Sequence, residues 1–408
     1  MSEFERLIQK LCPNGVEYKK LGEFATVSRG GNFQKIDYVE TGVPCIHYGQ
    51  IYTQYGLFVD KTISFISEEK AQKQKTATKN DIVMAVTSEN IDDVCKCIAW
   101  LGEGDIAVSG HTAIIHHTIN PKYLVYFLHS TMFYKQKVKI AHGTKVIEVT
   151  PDKLLDIVIP VPPLEIQGEI VRILDNFTEL TAELTAELTA RKKQYEYYRD
   201  ELLTFGDEVE WLPLGTVFNV RNGYTPSKAN EQFWEGGTIP WFRLEDIRKN
   251  GRFLFDALQH ITPAAVKRGG LFPANSLIIS TTATIGEHAL LKTAGLTNQQ
   301  ITNCSLKDKY AEKVNPQFAF YYFYKLGEWC KANINQGGGL AIIGTEKIKQ
   351  FLFPIPPIEE QQRIVDILDR FDTLCNDISA GLPAEIEARQ KQYEYYRDKL
   401  LNFKEMSV

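Results

Sequence analysis

Between residues 166 and 202 the apolar positions follow a fixed rhythm: Ile166, Ile170, Ile173, Phe177, Leu180, Leu184, Leu188, Tyr195, Tyr198 and Leu202, with Arg191 in the place between Leu188 and Tyr195. Steps of three and four alternate, which is the seam of a coiled coil, and the one doubled step of four is a stutter. The series recurs as Ile364, Ile367, Phe371, Leu374, Ile378, Leu382, Ile386, Arg389, Tyr393, Tyr396 and Leu400. Two such seams in one chain are expected to pack on each other. Each is led in by a proline pair, Pro162-Pro163 and Pro356-Pro357, and each ends in Gln-Tyr-Glu-Tyr-Tyr-Arg-Asp, at 194–200 and 392–398. Pro160 and Pro354 correspond at an offset close to half the chain, so the sequence reads as an internal duplication.

The stutter has a source in the tandem Thr181-Ala-Glu-Leu184 and Thr185-Ala-Glu-Leu188. Four residues add one helical turn, about 6 Å. In the second copy the offset grows by four residues between Phe371 and Tyr393, and Gly381-Leu-Pro383 interrupts the helix. Glycine suits the end of one helical piece and proline the first turn of the next. The second helix is therefore expected to be kinked or broken, and about one turn longer overall.

The segments between the helices share landmarks more than sequence. Asn80 to Thr87 parallels Asn275 to Thr282, an apolar strand-like run ending in hydroxyls. Asn120 to Phe127 parallels Asn315 to Tyr322, an aromatic helix after an Asn-Pro turn. Each half reads as short strands, glycine-rich loops and a few helices, an α+β unit. Gly15 to Gly22 resembles Val209 to Gly215, so the chain begins partway through its repeat and its ends are expected to lie together. The division predicted is 1–159 and 207–353 for the globular parts, and 160–206 and 354–408 for the helices.

Composition adds limits. At 408 residues and 44% apolar content the chain can bury more than one core. No apolar run approaches the roughly 20 residues that span a bilayer, and the acidic start is unlike a signal peptide, which points to the cytoplasm. Seven scattered cysteines argue against a disulfide framework. The net charge of −5 is unevenly divided: residues 156–208 carry 5 basic against 12 acidic side chains, residues 354–408 carry 7 against 11, and residues 209–353 carry 16 against 11. Acidic rods and more basic globes suit different partners, with polyanion binding on the globes.

Catalytic signatures are missing. The chain holds no phosphate loop and no dinucleotide fingerprint. Its proline pairs are followed by Leu164 and Ile358, where an amino-methyltransferase would place an aromatic. Pro151-Asp152 lacks the lysine that would complete a nuclease signature. His111, His116 and His117 have no cysteine or carboxylate at ligand spacing, which favours surface or base-contacting histidines over a metal site.

Two variable halves, each followed by a Pro-Pro-led coiled-coil helix with a Tyr-Glu-Tyr-Tyr-Arg-Asp tail, together with the Thr-Ala-Glu-Leu repeat, resemble the DNA-specificity subunit of Type I restriction-modification enzymes, in particular the subgroup with that spacer repeat. The resemblance implies two target-recognition domains separated by two long antiparallel coiled-coil helices, in a pseudo-twofold internal repeat. It implies a non-catalytic chain that reads bipartite double-stranded DNA. Two modification subunits, using S-adenosylmethionine to methylate adenine, and restriction subunits, using ATP and Mg, would be its partners; the chain itself would hold no cofactor or metal. The helices would act as a ruler, one four-residue repeat being worth one or two base pairs.

Arginine and lysine suit guanine, asparagine and glutamine suit adenine, and glycine-rich loops approach phosphate closely. On that basis the DNA-reading candidates are Arg29, Asn32, Lys35, Ser88, Asn90, His111 and Lys145 in the first half. In the second they are Arg221, Tyr224, Ser227, Lys228, Arg243, Thr282, Thr284, Gln299 and Gln336, beside the turn at Gly337 to Gly339. On the helices Tyr195, Tyr198, Tyr393 and Tyr396 are assigned to the seam, and Glu196, Arg199, Glu394 and Arg397 to an outer face for partner docking. A coiled-coil scaffold whose globes bind protein, with no DNA specificity, is the alternative; an enzyme acting alone is disfavoured by the missing motifs.

Overall fold

The computed structural model describes residues 3–334, 341–377 and 380–406. The chain divides into two compact units, one formed by Met1–Thr185 with Glu385–Val408 and the other by Ala186–Ala384.

In the first unit a five-stranded sheet runs in the order Ala25–Arg29, Thr112–His117, Ile82–Ala85, Cys97–Trp100, Phe58–Val59. All its neighbours are antiparallel except the last pair. The second unit repeats that order and that exception with Phe218–Asn222, Ile301–Leu306, Leu277–Ser280, His288–Leu291 and Phe253–Leu254. The apolar runs after Asn80 and Asn275 are the central strands, fully buried as their unbroken hydrophobicity requires. Both asparagines take positive φ, 74° and 61°, and donate from the main chain at 2.7 Å to Trp100 and Leu291. Asparagine tolerates the left-handed turn that feeds such a strand.

The aromatic helices, Pro121–Leu128 and Pro316–Ala332, lie against these sheets with their rings buried. Asn120 and Asn315 cap them through side-chain oxygens, with proline in the first turn. Behind each cap sits a buried glutamine. Gln167 accepts from Asn120 N at 2.9 Å and donates to Pro162 O at 2.7 Å. Gln361 accepts from Asn315 N at 2.8 Å and donates to Lys313 O and Pro356 O at 2.8 Å. One carboxylate then clamps each aromatic helix to a long helix. Asp175 accepts from the Tyr126 hydroxyl and pairs with Lys122, both at 2.6 Å. Asp369 accepts from the Tyr321 hydroxyl and from Gln317.

The two seams pack as their spacing requires. Leu164–Leu202 is one unbroken helix, whereas the second copy divides into Ile358–Asn376 and Leu382–Leu400. The break falls at the predicted place: at Gly381 a Cβ would press on the carbonyls of Thr373 and Leu374, and Pro383 sits in the first turn beyond. Ile378 lies outside the described residues. In the first unit Phe177 stacks on Tyr396 at 5.4 Å. In the second the equivalent pair, Phe371 and Tyr198, stacks at 5.7 Å. Within that unit Arg191 and Lys192 lie near Cys375, Tyr195 near Asp372 and Tyr198 near Phe371, so the helices run antiparallel. Seam residues near the globes are buried, among them Ile166, Ile170, Tyr195 and Leu400, while Leu180, just before the tandem repeat, is 37% exposed.

The Tyr18–Lys20 strand pairs with Val158–Pro160 as Glu210–Pro213 pairs with Leu352–Ile355. Val16 N donates to Lys404 O at 2.8 Å and Met406 N to Val16 O at 3.0 Å. The early and late segments of the chain meet, as the partial first repeat predicts.

Candidate nucleic-acid interface

At one end of the first unit's sheets several loops converge on a groove of about 460 Å³, walled by Tyr48, Tyr52, Ser88, Asn90 and His111. The short strand Thr87–Ser88 pairs with Ile147–Glu148, which sets the exposed Lys145 turn beside Ser88. Tyr48 and His111 are 5.0 Å apart ring to ring, and His47 lies 4.5 Å from Tyr48. Burial lowers the His47 pKa, and the nearby Lys35 and His111 side chains lower it further, which keeps the His47 ring neutral near pH 7. The Tyr52 hydroxyl donates to Thr87 O at 2.8 Å and so fixes the groove wall.

Five of the seven first-half candidates keep polar groups at this surface, in different degrees. Lys35, Lys145 and His111 are exposed. Ser88 is half-buried at the groove edge, where its hydroxyl accepts weakly from Asn90 N at 3.4 Å. Asn32 is exposed but exchanges hydrogen bonds with Gln74, at 2.7 and 3.2 Å. The other two are more committed. Asn90 is locked to Asp93 by two hydrogen bonds of 2.8 Å. Arg29 donates to Gly110 O at 3.0 Å and pairs with Glu148 at 2.9 Å, tying two loops together. Neither His116 nor His117 reaches the groove: His116 pairs with Asp81 at 2.7 Å, and burial lowers the pKa of His117.

In the second unit the candidates divide between holding the rim and forming it. Arg221 donates to the carbonyls of Gly269, Gly270 and Leu271 and lies 4.5 Å from the Phe272 ring. The Tyr224 hydroxyl donates to Ala265 O at 3.0 Å and accepts from Lys267 N at 2.9 Å. Both pin one loop, whose exposed tip carries Lys267 and Arg268. Spacing could not single out this basic pair, because the contacts that present it come from residues more than 40 positions away. Ser227 and Lys228 are exposed on the neighbouring loop, and Gln299 accepts from the Thr225 hydroxyl across it. Arg243 pairs with Glu245 at 3.0 Å. Thr282 sits where the chain bridges to Ile342, and Thr284 accepts from Arg248 at 3.2 Å. Gln336, with Gly337 to Gly339, lies outside the described residues.

Glycine plays the same part in both rims. At Gly30 and at Gly223, just beyond equivalent edge strands, a Cβ would collide with the carbonyls of Ser109 and Thr297. Loop can approach loop there only without a side chain.

The helix assignments need one correction. Glu196 and Glu394 are exposed, but Arg199 and Arg397 are only 11% and 12% exposed and do not form an outer face. Arg199 pairs with Asp200 at 3.2 Å and lies 4.4 Å from the Tyr324 ring; Arg397 pairs with Asp398 at 3.3 Å beside Tyr393. Tyr197 and Tyr395 face outward beside the two glutamates. Among the described residues no helix is long and apolar enough to cross a membrane.

A specificity subunit of the type I restriction enzyme EcoprrI from Escherichia coli is 50% identical over 215 residues, covering 51% of this chain and 53% of that protein. The EcoR124I/EcoR124II specificity subunit from Escherichia coli is 44% identical over 256 residues, 60% of this chain and 61% of that one. The matches thus span between half and two thirds of these two relatives. A putative type I restriction enzyme specificity subunit of Haemophilus influenzae is 33% identical over 321 residues, 75% of this chain and 78% of that protein. The same fold recurs in a chain of a type I R-M system, with a TM-score of 0.65 at 18% identity over 96% of this chain and 98% of that one. It recurs too in the HsdS subunit from Thermoanaerobacter tengcongensis, with a TM-score of 0.53 at 18% identity over 96% and 97%. Residues 13–191 and 206–388 each match the Type I restriction modification DNA specificity domain, and the chain belongs to that family.

Proposed function

We propose that this chain is the sequence-reading subunit of a Type I restriction-modification complex. Each unit reads one half-site of a bipartite double-stranded DNA target, and the chain directs partner subunits to methylate adenine or to cleave unmodified DNA. The observation that carries this reading is the contrast between a duplicated frame and unlike rims. The same glutamine, cap and carboxylate clamp recur in both units, while the loops beyond Gly30 and Gly223 present different side chains. Readers related by a pseudo-twofold suit half-sites in opposite orientation, at a spacing fixed by whatever holds the readers apart.

The working division places readers at 1–159 and 207–353 and spacer helices at 160–206 and 354–408. The DNA-reading residues proposed are those that keep exposed polar groups on the rims: Lys35, His111 and Lys145 with Ser88 in the first unit, and Ser227, Lys228 and Gln299 with Lys267 and Arg268 in the second. Catalysis belongs to the partners: two modification subunits carrying S-adenosylmethionine, and restriction subunits using ATP and Mg. The setting is the cytoplasm, where these reactions meet chromosomal and incoming DNA.

The reading is tested by expressing the chain with its modification subunit in a host free of DNA methylation and mapping methylated adenines across the genome. A two-part motif with a fixed gap, methylated on both strands, is expected. A single uninterrupted site would contradict the two-reader arrangement. Methylation that persists without this chain would favour a scaffold with no sequence specificity.

A further inference from the structure

The rim of the first unit carries its charges in two zones. Lys35 and Lys145 stand exposed on the outer loops, where they suit phosphate. The groove itself is acidic, lined by Glu89 and Asp93. Asp93 is held by Lys96 at 2.6 Å and by Asn90 at 2.8 Å, and these partners keep its carboxyl below the usual range and ionised. Glu89 is exposed and takes no hydrogen bond or ion pair from the described residues. A phosphate entering here would meet carboxylate oxygens, so the DNA backbone belongs to the lysines and the groove to another part of the DNA. Its remaining walls are rings and apolar surface. Tyr48 and Tyr52 are one turn apart on the helix Tyr48–Thr53, His111 faces them, and Val146 is 58% exposed beside them. These walls are fixed: Tyr48 N donates to the Ser109 hydroxyl at 2.9 Å, and the Tyr52 hydroxyl donates to Thr87 O. Within a duplex the faces of a base are covered by its neighbours and only its edges reach protein. Ring walls in a concave groove therefore match a base that has left the stack.

We propose that this groove seats one unstacked base of the first half-site, its face against the rings of Tyr48 and His111 and its exocyclic amine donating to the Glu89 carboxylate. This rests on the reading of the first unit as a DNA reader. An ionised carboxylate accepts hydrogen bonds and cannot donate them. The seated base is therefore one that bears an amine, and thymine, which has none, is the base the groove rejects. Stacking on the aromatic walls offsets the loss of stacking in the duplex. The seated base is distinct from the methylated adenine, which must leave the stack to reach the partner's methyl donor. The second unit has no counterpart to this seat. After the equivalent helix caps, His47 and Arg243, it places Leu244 and Arg248 where the first unit has Tyr48 and Tyr52. Arg248 is moreover tied to Thr284 and Glu287, both at 3.2 Å. The first half-site thus opens at one more position than the second.

The test uses the full chain in complex with its modification subunit, and duplexes carrying the two-part motif that methylation mapping supplies. Each base of the motif in turn is left in place while its pairing partner is changed, because a mispaired base costs less to extrude. One position of the first half, other than the methylated adenine, should then bind on the order of tenfold tighter instead of weaker. The gain should vanish in Tyr48→Ala and survive in Tyr48→Phe, since the ring does the stacking. Glu89 lies on the surface and gives a second variant that leaves the packing intact. Glu89→Ala should admit thymine at that one position in the methylation map, with the second half-site and the gap unchanged. Tightening confined to the methylated adenines would overturn the proposal, as would a gain that survives Tyr48→Ala or a Glu89→Ala map identical to that of the unaltered chain. A complex that methylates no two-part motif at all would overturn the reader account itself, which keeps the two failures distinct.

Discussion

The two units agree where the chain holds itself together and differ where it meets solvent at the sheet ends. Gln167 and Gln361, Asn120 and Asn315, and Asp175 and Asp369 make matching bonds in matching places. At the rims the first unit presents an aromatic groove of Tyr48, Tyr52 and His111, with His47 packed against Tyr48, and the second a basic loop with Lys267 and Arg268. One change in the cores comes as a matched pair. Cys97 and His288 hold the same strand position, opposite Met84 and Ile279. Their helix partners are His129, 3.9 Å from Cys97 by sulfur and ring nitrogen, and Tyr324, 4.7 Å from His288 ring to ring. A histidine has in effect moved from helix to strand, with its neighbour altered to fit. Contacts that set geometry are duplicated, and contacts that set specificity are free to part.

The sharpest way to break this comparison is through the buried glutamines. Gln361→Leu strands three main-chain groups and Gln167→Leu two. Each buried group left unpaired costs about 1–3 kcal/mol, so Gln361→Leu should lose about 3–9 kcal/mol and Gln167→Leu about 2–6 kcal/mol. Thermal unfolding of the two variants checks both the size and the order. Equal, small losses would mean that the frame is not held by these bonds.

Acid stability gives a smaller effect. Burial pulls the His288 pKa down to about 3, with the nearby Arg252 charge adding to it, and burial pulls His129 down to about 4. In the unfolded chain both return to about 6.5. Below that pH the unfolded state takes up protons that the folded state refuses, so stability falls as pH drops from 6.5 toward the folded values. By pH 5 each histidine should cost on the order of 1–2 kcal/mol. His288→Leu should flatten part of the decline in melting temperature between pH 6.5 and 5. An unchanged slope would place the acid sensitivity elsewhere.

Much of this was legible in the sequence because it rests on local rules. The seam spacing marked both helices, Gly381 and Pro383 marked the break, and the two Asn-Pro steps marked the caps. What escaped depends on contacts between distant residues. Arg199 follows Tyr195 by four residues, and the ring that draws it inward, Tyr324, lies 125 positions away. Arg221 is a natural base-reading residue by type, yet its donors hold the loop at 269–271. Tyr48 and Tyr52 carried one faint signal, their spacing of four on a short helix. That they wall a groove with Ser88 and His111 follows only from the strand pairing and loop closure.

The central claim is that each unit reads its half-site independently on a shared frame. The most direct measurement maps adenine methylation for a variant altered only at the first unit's rim, Lys35→Ala with His111→Ala and Lys145→Ala, expressed with the modification subunit. The account predicts that one half of the two-part motif relaxes or is lost while the other half and the gap between them stay the same. Both halves changing together, or neither changing, would contradict it.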